Sequence, residues 1–276
     1  MSLLPPTNTA ELWNWSQEFR AHTAQHAVVG AICLGLMIAA CVVGRVLLGS
    51  AETEGRQRER AFRHVIGWSI LLSQSFIFVR RFTPGQWDLD DSLPFHMCRW
   101  TVWIAAWMML TLDRRARSIM LFWGLGLSTQ VFFTPFLDEG HGSMGFWIYW
   151  LNHVQIVGVA LYDIVVLGFR PNFKDLRFGI LTGIGFAALV FVINILLGTN
   201  YGYLGAADHE VASLIDKLGP YPLRVVWMVL ASAVVMVVMY LTSRCLIALR
   251  VRVLKKPMPR FISPDDSETI ADHTPV

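Results

Sequence analysis

Charge is what this sequence has least of: 16% of its 276 residues are Asp, Glu, Lys or Arg, against about 25% in an ordinary soluble domain. With 54% apolar residues beside it, that shortage excludes a water-soluble globular enzyme and predicts an integral membrane protein. Cysteine is nearly as scarce. Of the four present, Cys33, Cys41 and Cys245 fall inside apolar stretches, which leaves Cys98 without a partner for an intramolecular disulfide on the oxidising side. There is no internal repeat, no phosphate-binding P-loop, no dinucleotide-binding glycine pattern and no Cys-x-x-Cys pair. Nucleotide, dinucleotide and dithiol chemistry therefore have no motif to rest on. The first 21 residues hold Pro5, Pro6, Glu11 and Glu18 but no basic start before an apolar core, so no cleavable signal peptide is expected. Trp13 and Trp15 read instead as interface anchors.

What is abundant is apolar sequence in long runs. Seven of them, at 26–48, 64–82, 94–112, 118–137, 144–169, 178–197 and 225–249, come near the roughly 20 residues a helix needs to cross a bilayer. The expected fold class is all-α: a polytopic membrane protein of seven transmembrane helices. The second and third runs are the shortest on charge-free sequence, because Arg80, Arg81 and Arg99 cut into them. The chain divides into an N-terminal extracytoplasmic segment (1–25), a seven-helix transmembrane domain (26–249) and a cytoplasmic tail (250–276) that is basic and then disordered.

The loop charges set an orientation. Basic residues gather after the first run (Arg56, Arg58, Arg60, Arg63), the third (Arg114, Arg115, Arg117), the fifth (Arg170, Lys174, Arg177) and the seventh (Arg250, Arg252, Lys255, Lys256, Arg260). Those are alternate loops, so the positive-inside rule puts the N-terminus outside and the C-terminus in the cytoplasm. Asp88, Asp90, Asp91, Asp138, Glu139, Asp208, Glu210 and Asp216 then lie outside. The net charge of +3 is a sorting signal under this reading, and nucleic acid is not an expected partner.

The chemistry concentrates in Leu93-Pro94-Phe95-His96-Met97-Cys98-Arg99-Trp100, at the mouth of the third run. Polar atoms at such a place are expensive unless something uses or satisfies them. Asp91 or Ser92 is expected to cap the helix, with Pro94 in its first turn and Cys98 about one turn in. A helix N-terminus favours thiolate. Helical geometry turns His96 roughly 200° from Cys98, which makes it a poor partner. Trp100, Trp103 and Trp107 follow at helical spacing and read as packing or lipid contact.

In the fifth run, His153 falls roughly 12–14 Å from the helix start, a depth at which it can meet Cys98; a buried histidine bonded to a neighbouring carbonyl is the plainer alternative. Asp163 lies ten residues on, about 80° round the helix, and is expected to pair within the bundle. His26 is either a satisfied interface histidine or part of a site. Arg80 and Arg81 call for partners, either the acidic cluster at 88–91 or an anionic group such as a lipid phosphate. The segment 138–142, with two glycines, is flexible by composition. The loop from Asn200 and Tyr201 to Pro222 contains a short amphipathic segment suited to lie over the mouth.

Three islands carry a resemblance: Leu93-Pro94-x-His96-x-Cys98; Phe146-Trp147 followed by His153; and Asn200-Tyr201-x-x-Leu204 leading to Asp216-x-Leu218-Gly219-Pro220-x-Pro222. In order and spacing the chain resembles the YwaF-like bacterial integral membrane proteins, over about residues 19–222. That family is similar to vertebrate transmembrane acyltransferases that move polyunsaturated acyl chains between phospholipids with an active-site cysteine. More distantly, it resembles membrane hydrolases of fatty-acid esters that pair a threonine with a histidine. The resemblance implies a nucleophile at Cys98 and a base at His153, with His26, Arg80, Arg81, His96, Asn200 and Tyr201 as candidate substrate-binding residues. It implies a multi-pass protein of the bacterial cytoplasmic membrane, acting on phospholipid acyl chains as acyltransferase or ester hydrolase. Membrane lipids are the expected partners. No cofactor, no metal and no obligate protein partner is called for.

Two other classes fit the same residues. A lipid or small-molecule binding or transport protein would use the cavity without covalent chemistry, and its sign would be mid-membrane charge on several helices, where only Asp163 qualifies. A zinc site from His26, His96, Cys98 and His153 is chemically acceptable, but no His-x-x-x-His or His-x-x-Glu pair on one helix supports it.

Overall fold

The computed structural model describes residues 15–49, 53–206 and 218–254. Among these all regular structure is helical, with no strand. Seven long elements follow one another. They are α1 (Ala24–Leu48), α2 (Thr53–Arg81), α3 (Met97–Thr111), α4, α5 (Met144–Val165), α6 (Phe173–Leu197) and α7 (Leu223–Leu254). The fourth is composite: an α-helical turn Arg114–Ile119, a π-helical stretch Met120–Leu127 and a 3-10 turn Ser128–Phe132.

Five of the helices are long and apolar enough to cross a membrane: Ala24–Leu48, Thr53–Arg81, Met144–Val165, Phe173–Leu197 and Leu223–Ile247. The other two occupy the expected third and fourth spans. With 15 residues, α3 is about 22 Å long at 1.5 Å per residue, short for a bilayer. The second span, which the arginines seemed to shorten, is instead a helix of 29 residues that starts well before its apolar part.

Local chemistry sets the helix ends. The side chain of Ser143 accepts from the Gly145 N–H at the start of α5. Asn172 and Asp175 form a reciprocal capping box at the start of α6. Gly198, left-handed at φ 69, closes α6 on the Asn194 carbonyl.

Helix α5 is the hub. It packs against α1, α3 and α4, α2 packs on α3 and α1, and α6 and α7 pair with each other and with the π-helical stretch. Burial follows that order: 44% of the apolar window of α5 is buried, against 11% in α6 and α7, whose outer faces are apolar and suited to lipid. Close approach of α1 to α5 depends on Gly44, where an added Cβ would lie 2.5 Å from the Tyr162 ring.

Alternation of direction brings the starts of α1, α3, α5 and α7 to one end of the bundle. Residues 15–19 tuck in there, with the Phe19 N–H donating to the Asp138 carbonyl at 2.6 Å and the Gly140 N–H donating to the Gln17 carbonyl at 3.1 Å. The 138–142 segment, flexible by composition, is thus fastened by backbone hydrogen bonds. Of the regions named from sequence, residues 1–14, the amphipathic part of the long loop at 207–217 and the tail at 255–276 lie outside the described residues.

Candidate functional site

The chain reaches Cys98 differently from the expected capped helix. Asp88 accepts from the Asp90 N–H at 3.0 Å, and the Asp88 N–H donates to Ser92 Oγ at 2.9 Å. Those groups close a separate one-turn helix, Leu89–Ser92. Pro94 disfavours helical backbone at the residue before it, and Leu93 is indeed extended at φ −76, ψ 147. The backbone of His96 is also extended, so α3 opens at Met97 and Cys98 is its second residue. The correction brings the thiol closer to the unpaired N–H groups and positive dipole of the first turn.

Cys98 is half-buried and packs beside the main apolar core. Its thiol lies against the Ser128 side chain. Ser128 is buried, and its hydroxyl donates to the Trp123 carbonyl five residues back at 3.0 Å. The Ser128 backbone N–H donates to the same carbonyl, the i−5 bond that closes the π-helical part of α4. Tyr149 and Tyr203 both feel the charge state of Cys98. Burial, with the Cys98 charge adding to it, pushes the Tyr203 phenol up to about 12, so at neutral pH it is a donor.

His153 is buried, and its Nδ1 lies 2.7 Å from the Tyr149 carbonyl oxygen one turn back. A carbonyl can only accept, so Nδ1 carries the proton and the tautomer is fixed. Nε2 is then a bare lone pair, and it is buried with no hydrogen-bond partner. Cys98 and His153 are accordingly not hydrogen-bonded to each other. They share Tyr149: its ring lies 4.6 Å from the His153 ring, its hydroxyl is near enough to Cys98 to interact with its charge, and its helix α5 packs on α3.

The other residues singled out from sequence have partners of their own. His26 is buried in an aromatic cluster with Phe19, Trp150 and His22, and its Nδ1 accepts from the His22 N–H at 3.1 Å. His96 sits edge-on to Tyr201 with ring centroids 5.3 Å apart, its Nε2 3.3 Å from the Asp90 carbonyl. It turns to the loops because it lies outside the helix; the expected 200° offset does not apply. Tyr201 is fully buried and donates its hydroxyl to the Leu89 carbonyl. Its backbone is held at both N–H and carbonyl by Asn194, at 2.8 and 2.9 Å. Asn200 accepts from the Gly205 N–H at 2.8 Å. Tyr201 and Asn200 thus clasp the loop after α6 onto the approach to Cys98. Arg80 and Arg81 are half-exposed at the end of α2.

The opposite end of the bundle carries charge in pairs. Asp163 meets Arg117 at 2.8 Å, Asp175 meets Arg114 at 2.8 Å, and Glu59 meets Arg63 at 3.3 Å and accepts from Tyr162 at 3.0 Å. Arg117 also lies over the Phe169 ring. Asp163 pairs within the bundle, as its position suggested, while Arg114 and Arg117, counted from sequence as loop charge, are interhelical ties. Gln74 donates to Asn152 at 2.7 Å and to Gln155 at 3.0 Å, joining α2 to α5 at mid-length. Among the described residues no three His, Cys, Asp or Glu side chains come together as metal ligands, so the four considered for zinc do not form a site.

Neither Ser128 nor Tyr203 carries a sequence signal that links it to Cys98. Nothing in the local pattern joins positions 98 and 203. The one available hint was the cluster of tyrosines at 201 and 203 after a Gly-Thr-Asn turn.

A model of the TMEM164 family, a family of transmembrane proteins, matches residues 20–240. No curated protein and no solved structure matches the chain. With four-fifths of its length matched, the chain belongs to the TMEM164 family.

Proposed function

We propose that this member of the TMEM164 family is a cysteine-dependent lipid acyltransferase or lipid ester hydrolase, with Cys98 as nucleophile and His153 as base. The observation that carries the reading is the state of His153: its Nδ1 proton is committed to the Tyr149 carbonyl and its Nε2 lone pair is buried and unused. Most buried polar side-chain atoms have a hydrogen-bond partner, and a lone pair left over on this nitrogen is the one a general base needs. The likeness to cysteine-dependent phospholipid acyltransferases at Leu93-Pro94-x-His96-x-Cys98 supports the same assignment.

The reaction balances within the chain. Nε2 takes the thiol proton as the sulfur attacks the ester carbonyl carbon, and the carbonyl π electrons move onto oxygen. When they return, the carbon–oxygen bond to the glycerol breaks and the leaving alkoxide takes the proton from the imidazolium. The acyl chain is then a thioester on Cys98. A lysolipid hydroxyl or water, deprotonated by His153, attacks it, and sulfur leaves and recovers its proton. Lipid approaches laterally between helices, with Arg80 and Arg81 as candidate phosphate contacts. His26, His96, Asn200 and Tyr201 shape the mouth.

In this reading all seven helices span the cytoplasmic membrane, α3 and α4 included, with the N-terminus and Cys98 on the outer side. Short α3 is accommodated because the Leu89–Ser92 turn and the 200–206 loop cover its end. The deciding assay uses purified protein in liposomes with acyl-labelled phospholipid and a lysolipid acceptor. Wild type transfers label to lysolipid or releases fatty acid, and Cys98→Ala does neither. Equal turnover by both proteins ends the proposal; lipid binding retained by Cys98→Ala with no turnover in wild type favours a binding or transport protein.

A further inference from the structure

Tyr149 stands out among the groups around the site because it serves both proposed partners with different atoms. Its carbonyl orients His153 at 2.7 Å and its ring covers the imidazole. Its hydroxyl oxygen already accepts a hydrogen bond from the Phe136 N–H at 3.0 Å. That bond occupies a lone pair and leaves the phenolic hydrogen free to donate, with no acceptor for it among the described residues. Helix α5 packs on α3 and sets the same hydroxyl near enough to the Cys98 sulfur to interact with its charge. A phenol on α5, aimed by a backbone N–H and set beside an α3 thiol that is to become anionic, is a preorganised donor.

We infer that the Tyr149 hydroxyl is a catalytic hydrogen-bond donor, to the Cys98 thiolate before attack and to the ester carbonyl oxygen as it gains negative charge. The inference rests on the acyl-chemistry reading and supplies what that reading lacks, a donor for the oxyanion beyond the N–H groups of the first turn of α3. Tyr149 gives up no proton in the cycle. It donates a hydrogen bond while charge is present and keeps its hydrogen when the carbonyl re-forms, so the electron and proton balance above is unchanged. Phe136 is the residue that aims it, through the 133–136 segment after α4. Tyr203 is the rival donor: it also feels the Cys98 charge, but its backbone at φ 63 sits on a loop instead of the hub helix.

The test compares full-length wild type, Tyr149→Phe, Tyr203→Phe and Cys98→Ala in the liposome assay, with the rate of Cys98 alkylation by iodoacetamide at neutral pH as a second reading. Tyr149→Phe keeps the ring and the carbonyl that orients His153. Its kcat is expected to fall about 10²-fold, the cost of removing one oxyanion donor, with KM nearly unchanged and alkylation slowed. Tyr203→Phe is expected to keep kcat within about threefold, well below that cost. Replacing Tyr149 by 3-fluorotyrosine retains the hydroxyl as a stronger donor and should hold kcat at or above wild type even if Tyr149→Phe folds poorly. Undiminished kcat in Tyr149→Phe, a loss confined to KM, or loss in Tyr203→Phe instead would overturn the role of Tyr149 while leaving the nucleophile in place. Turnover by Cys98→Ala equal to wild type would instead remove the acyl-chemistry reading itself.

Discussion

The two ends of the bundle treat buried polarity in opposite ways. At one end Asp163–Arg117 ties α5 to α4, Asp175–Arg114 ties α6 to α4, and the Glu59–Arg63 pair within α2 reaches α5 through Tyr162 and α3 through the Met109 carbonyl, each buried carboxylate facing its own guanidinium. At the other end one guanidinium, the buried Arg99 that donates to the Leu93 carbonyl at 2.8 Å, stands beside Cys98, and the other groups around the thiol are neutral: a serine, two phenols and an imidazole with one nitrogen left without a partner. Paired charges lock helices in register and are poor reagents, because each group is already neutralised. Neutral groups with spare donors and lone pairs are the converse, costly to bury and available for chemistry. On the proposed function, stability belongs to the first end and reactivity to the second.

The sharpest way to break that division is to cross it. Cys98→Ala should abolish acyl transfer outright and leave the thermal unfolding midpoint in detergent within error of wild type; a large drop in the midpoint would make Cys98 a packing residue. His153→Ala should lower kcat by about 10²–10⁴, the range of base catalysis, while the first-turn N–H groups of α3 keep some thiolate at Cys98. Asp163→Ala strands Arg117 in the interior and should cost about 3–5 kcal/mol of stability, read by denaturant unfolding in micelles. Asp163→Leu combined with Arg117→Met should recover most of it, since an apolar pair of similar volume is often neutral.

Smaller effects test the links between the ends and the loops. Tyr201→Phe leaves the Leu89 carbonyl without its donor and should cost about 1–3 kcal/mol, seen as faster hydrogen exchange confined to residues 89–96. Smallest is the exposed Glu18–Arg20 pair. The Arg20 hydrogen bond holds the Glu18 carboxyl below its usual range, so its contribution is complete above the unfolded-state value and fades as pH falls through the folded one. Being fully solvated, it should leave the pH profiles of unfolding for wild type and Glu18→Gln superimposed.

How much of this was legible depended on whether the cause was local. Helices α1, α2, α5, α6 and α7 announce themselves as apolar runs, and Gly198, Asn172 and Ser143 mark ends where caps are found. The start of α3 was misplaced because Asp88 and Ser92 close a turn of their own and Pro94 holds Leu93 extended, a competition that residue preference alone does not rank. The π-helical stretch in α4 packs against α5, α6 and α7 and has no periodic signature in the sequence. His153 was readable as a polar group in an apolar helix; the carbonyl that sets its tautomer lies one turn away and follows from helix geometry. Arg114 and Arg117 looked like topogenic loop charge because their partners, Asp175 and Asp163, lie 61 and 46 residues away. Tyr203 comes within the influence of the Cys98 charge only through the fold.

The central claim is that Cys98 carries an acyl chain during turnover. Wild-type protein in liposomes of acyl-labelled phospholipid, quenched in acid before a lysolipid acceptor is added, should yield a peptide containing Cys98 with one acyl group attached, released by neutral hydroxylamine and chased onto lysolipid when acceptor is supplied. His153→Ala should accumulate the label more slowly, and Cys98→Ala not at all. Label absent from Cys98 while wild type turns lipid over, or label present but not chased by acceptor, would contradict the account.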